Sequence, residues 1–115
     1  SASADRALRQ LYPHNKVEKL DLCEDAEANE RYEALLSVRD QLKTLQDKES
    51  LLKNQLQQVM GEAGQAQLLS GRLSWKLSKP STAFDMKAFK EDHPDLFSDY
   101  QIPKMGSRRF LVQPN

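Results

Sequence analysis

From about Glu24 to Met60 the chain has no proline and no glycine, and its apolar residues recur at alternating steps of three and four. With Ala28 at heptad position a, Leu35, Leu42 and Leu56 also fall at a, and Val38, Leu45, Leu52 and Val59 fall at d. Arg31 and Glu49 are the only polar residues in that seam. Such spacing lines the apolar side chains along one continuous helix in the manner of a coiled coil. At 1.5 Å per residue the helix is roughly 55 Å long, longer than a compact domain of this size, so the rest of the chain cannot cover most of the stripe. A partner helix is therefore expected. It belongs either to a second copy of the chain, making a homo-oligomer, or to another protein, and the predicted interface residues are Leu35, Val38, Leu42, Leu45, Leu52 and Leu56.

The 115 residues suggest one domain, and 38% hydrophobic with 30% charged residues describe a helix-rich chain with a small core. Seventeen basic side chains cancel seventeen acidic ones, so total charge does not select for nucleic acid. Residues 1–61 carry nine Lys/Arg against eleven Asp/Glu and residues 62–115 eight against six, so a mildly acidic half precedes a mildly basic one. The single cysteine, Cys23, has no internal disulfide partner, and the acidic neighbours Asp21, Glu24 and Asp25 make it a poor nucleophile. No long apolar run and no basic-then-apolar leader is present, so a cytoplasmic protein is expected, with neither a membrane nor a small-molecule substrate among its partners.

Three segments follow from the pattern. Residues 1–23 read as a short helix and a linker. Within them Ser1-Ala2-Ser3 is set aside, and Ala7, Leu8, Leu11 and Tyr12 give an amphipathic helix from Ala4 that Pro13 stops. The shortness of this opening suggests a larger protein continuing upstream. Residues 24–61 are the long helix, closed by Gly61, which takes a left-handed cap without steric cost. Residues 62–115 form a small α+β cap. Gln65 to Leu69 and Arg72 to Ser78, around Ser70-Gly71, read as a β-hairpin in which Leu73, Trp75 and Leu77 face a core and Arg72, Ser74, Lys76 and Ser78 face water. Asp85 N-caps a helix to about Asp92, and Pro94 opens another at its first position, ending near Tyr100. Arg108 to Gln113 alternates as a last strand. The predicted class is α+β: a long heptad-patterned helix followed by a three-stranded antiparallel sheet with two short helices.

Catalytic signals are thin. His14 and His93 lie far apart, each beside a proline and without metal-ligand spacing, so both read as loop or capping histidines. Asp85-Met86-Lys87 matches the carboxylate-x-lysine element of metal-dependent nucleases, but it sits at a helix start rather than on a strand, and capping is the better use of Asp85. The basic residues Arg72, Lys76, Lys79, Arg108 and Arg109 are candidates for phosphate contacts if the sheet gathers them on one face or rim. Trp75 alternates with them and is expected in the core instead.

Leu73-Ser74-Trp75-Lys76, Phe84-Asp85-Met86-Lys87-Ala88-Phe89-Lys90, His93-Pro94-Asp95-Leu96-Phe97 and Arg108-Arg109-Phe110, following a charged helix that ends at Met60-Gly61, resemble the C-terminal region of the YqaJ family of phage-type recombination exonucleases. Leu11-Tyr12-Pro13 resembles the join after the nuclease domain of that family. The resemblance runs over nearly the whole chain. It implies an accessory domain of an enzyme that degrades double-stranded DNA in phage or prophage recombination. The lambda-exonuclease-like core with its acidic metal ligands and catalytic lysine would lie upstream of residue 1. No catalytic or metal-binding residue carries over, Mg²⁺ would belong to that core alone, and a recombination protein or DNA becomes a possible partner.

Overall fold

The computed structural model describes residues 1–115. In chain order the elements are α1 (Ala2–Leu11), α2 (Ala26–Met60), β1 (Gln65–Leu68), β2 (Gly71–Ser74), α3 (Met86–Asp92) and α4 (Pro94–Asp99). They divide into two compact units, one of residues 21–82 and the other of residues 1–20 with 83–115. The cap expected over 62–115 is thus split: the hairpin groups with the long helix, and α3 and α4 group with α1.

In the first unit, α2 starts where Asp25 Oδ1 accepts the Ala28 N–H at 2.9 Å, satisfying one of the donors that a helix start leaves free. Asn29, one turn in, donates from Nδ2 to the carbonyls of Leu22 and Asp25, both at 2.8 Å, and so ties the incoming chain to the first turn. The helix stops at Gly61 as expected but without the left-handed helical cap: its φ of 56° and ψ of −116° mirror the extended backbone of ordinary residues and are open only to glycine. Four residues later β1 pairs with β2 in antiparallel register, Gln65 with Ser74 and Leu68 with Gly71. Ala66 and Leu73 therefore share one face, and Gln67 and Arg72 the other. The turn is Leu69-Ser70, one residue earlier than the Ser70-Gly71 pair suggests, because Gly71 is already in the ladder. Gln67 Nε2 braces it by donating to the Leu68 and Gly71 carbonyls at 2.9 and 3.2 Å.

The sheet has two strands, not three. β2 ends at Ser74 rather than Ser78 because its partner begins just after the α2 terminator; Trp75 donates to the Gly64 carbonyl at 2.8 Å, and past that point no opposing backbone remains. Residues 108–113 form no strand, since they group with α1 while the hairpin edge belongs to the other unit. Trp75 is likewise not a core residue, being 49% exposed.

In the second unit α1 begins at Ala2, not Ala4, because the Ser1 hydroxyl caps it by accepting the Ala4 N–H at 3.2 Å. It ends before Pro13. Asp85 Oδ1 accepts the Ala88 N–H at 2.9 Å and starts α3; Pro94 occupies the first turn of α4, and His93 lies at the end of one helix and the start of the other. Phe84 packs on Phe89 (centroids 5.2 Å apart), Phe89 on His93 (5.6 Å), and the Lys90 ammonium sits 4.7 Å over the Phe97 ring.

No residue in the chain is buried. Two separate globules of half this mass would together expose about 7,700 Å², whereas this chain exposes 11984 Å². The helices and the hairpin are formed while tertiary burial is nearly absent.

Gly61→Ala should cost about 1–3 kcal/mol by forcing a side chain into that backbone conformation, although no neighbouring atom lies within 4 Å of the new methyl. Gly71→Ala, at a non-positive φ with equally open surroundings, should change stability little in the same urea titration.

Candidate functional site

The residues singled out for the helix interface all lie on α2, and all six are solvent-accessible: Leu35 37%, Val38 50%, Leu42 51%, Leu45 60%, Leu52 59% and Leu56 39%. Val59, at the helix end, is 85% exposed. A leucine or valine in a settled core is covered almost completely, so these values describe side chains resting only on their own helix. Covering the remaining half of the six is worth on the order of 5–10 kcal/mol per helix before the losses of association. Tyr32 and Leu51, also exposed on α2, lie off the a and d positions and are missed by a heptad reading.

The two polar seam residues each have a local partner one turn away. Arg31 Nη2 is paired with Glu27 Oε1, and Lys53 Nζ lies 3.3 Å from Glu49 Oε1. Both pairs are exposed i,i+4 contacts, of a kind worth a few tenths of a kcal/mol. They leave the guanidinium and the carboxylate free to exchange partners.

The basic set is not gathered on a sheet face. Arg72 lies on β2, and Lys76 and Lys79 follow it in the same unit, whereas Arg108 and Arg109 belong to the other unit with α1. There Arg108 Nη1 donates to the Tyr12 carbonyl at 2.9 Å, across 96 positions of sequence, and Arg108 and Arg109 join Arg9 along an open groove of about 710 Å³ that Asp5, Leu8, Tyr12 and Phe110 also line. Arg9 is absent from the sequence-based set; its i,i+3 spacing from Tyr12 is the signal that was there to use.

No group of three or more His, Cys, Asp or Glu side chains is placed to hold a metal ion, and no helix is long and apolar enough to cross a membrane. Asp85 is occupied as an N-cap. Cys23 is free and exposed. Its backbone N–H donates to Asp21 Oδ1 at 2.9 Å, and that bond above all holds the Asp21 carboxyl below the usual aspartate value. Compared with family models, curated proteins and solved structures, the chain matches none.

Because the Asp21 carboxyl is depressed in the folded chain, the turn it makes should hold above the ordinary aspartate pKa and loosen as pH falls through the lowered one. The Cys23 amide resonance, followed by NMR, should titrate with a midpoint below that of a free aspartate and should lose the titration in Asp21→Asn.

Proposed function

We propose that this chain is an assembly module: an accessory, non-catalytic C-terminal region of a phage-type DNA exonuclease of the YqaJ kind, joined to other subunits through α2. The reading is carried by one observation, a 35-residue helix with its row of leucines and valines left open to water. Marginal isolated helices gain stability in proteins mainly by packing an amphipathic face, and nothing else in this chain covers this one. The spaced Ser-Trp-Lys, Phe-Asp-x-Lys, His-Pro and Arg-Arg-Phe strings support the family part of the reading. Cleavage of DNA, with its metal ions, would then be the work of a separate nuclease core in the cytoplasm, and this module would set how many cores act together or which recombination protein they meet.

Leu42→Lys with Leu45→Lys places two charges in the middle of the seam and should abolish association, reducing the mass by light scattering to that of one chain while α3 and α4 keep their helicity. An unchanged oligomer in the double variant would remove the seam from the interface.

A second reading rests on the α1 groove. With no third strand to gather the basic residues, the candidate nucleic-acid contact moves to Arg9, Arg108 and Arg109, beside the exposed rings of Tyr12 and Phe110. Guanidinium groups hold phosphates and aromatic faces stack on unpaired bases. Single-stranded DNA titrated at low salt should bind, weaken steeply with added salt, and bind less to Arg9→Ala with Arg109→Ala; no binding at tens of micromolar protein rejects this reading.

A further inference from the structure

The seam contains two charges of opposite sign, and their positions are not symmetric with respect to the heptad: Arg31 is at d and Glu49 at a. In a parallel in-register pair a meets a and d meets d. Arg31 would then face Arg31 and Glu49 would face Glu49, two layers of like charge inside the interface. In an antiparallel pair a layers against d, so a residue of the Arg31 class meets one of the Glu49 class. Arg31 and Glu49 lie nine residues either side of Asp40. A two-fold axis passing at residue 40 therefore puts Arg31 of each helix opposite Glu49 of the other.

The same register matches everything else that it overlaps. Leu35 meets Leu45, Val38 meets Leu42, and Ala28 meets Leu52, so every remaining layer is apolar against apolar. Sliding the helices by one heptad to full overlap lays Glu49 against Val38 and Arg31 against Leu56, which desolvates four charges without partners. Outside the seam, the e positions bring Asp25 near Lys53 of the other helix. They also bring the two Arg39 side chains together at the axis, on the rim where water and salt screen them. Residues 26–39 carry three acidic and two basic side chains and residues 41–54 three basic and two acidic, so the opposed halves are also complementary in sign. The overlap excludes the last heptad: Leu56 and Val59 run past the start of the partner helix at Ala26.

We infer that α2 pairs with α2 of a second copy of this chain as an antiparallel dimer, in the register that sets Arg31 against Glu49. The inference rests on the assembly reading above and names its partner. Antiparallel pairing separates the two Ala26 ends along the paired helices, and likewise the two Met60 ends, so equivalent helix ends do not lie side by side.

The test uses the full chain in three steps. Mass over a wide concentration range must show a dimer; a monomer at several hundred micromolar overturns this inference and leaves α2 to a different protein, whereas an oligomer that survives Leu42→Lys with Leu45→Lys overturns the assembly reading itself. Arg31→Glu then opposes like charges twice and should weaken the dimer about tenfold or more, while Arg31→Glu with Glu49→Arg should return it to within about threefold of the starting affinity. The double variant keeps the repulsion within its own helix between Glu27 and the carboxylate introduced at position 31, so recovery reports the contact between chains. In a Cys23→Ser background, chains with Arg31→Cys mixed with chains with Glu49→Cys should oxidise to a mixed disulfide, and neither should oxidise efficiently with itself. A dimer in which Arg31→Cys links to itself, or in which Arg31→Glu is without effect, overturns the antiparallel register and leaves the seam reading standing.

Discussion

Between Asp25 and Gly61 a helix of 35 residues satisfies its own backbone, but it has no means of covering its own apolar stripe. Hydrogen bonds along the axis are local and need no other element. The hydrophobic term does, because a side chain leaves water only against something else. The chain shows that asymmetry throughout: side-chain caps on α1, α2 and α3, no buried residue, and an accessible surface far above that of packed globules of the same mass.

Elements whose cause is local were legible in the sequence. Asp85 caps because a carboxylate three residues before a free N–H reaches it; Pro94 enters at a position needing no N–H; Pro13 ends α1; Gly61 takes a backbone conformation closed to other residues. Features needing a distant partner were not. The alternation of Arg108 to Gln113 has the period of a strand, yet a strand exists only beside an edge, and the hairpin edge lies in the other unit. The face of Trp75 read as core for the same reason, an alternation with no information on what stands opposite. Arg108 shows the converse: its bond to the Tyr12 carbonyl joins residues 96 positions apart, and no local pattern foretells it.

The six residues named from spacing all fall on α2 and are all exposed, since a helix converts spacing directly into direction. Exposed positions outside the strict heptad, Tyr32 and Leu51, escaped it. The polar members of the seam carry the most specific information. Apolar layers tolerate several registers at similar energy, whereas two opposite charges at a and d separate the alternatives by whether each is paired, repelled or stranded.

The central claim is that α2 is stabilised by a second helix, and its most direct measurement is the thermal unfolding of helix signal by circular dichroism across a hundredfold range of protein concentration. Coupling of folding to association requires the midpoint to rise with concentration. A midpoint that stays fixed while α2 melts cooperatively would mean that the helix is stable on its own, and would contradict the claim.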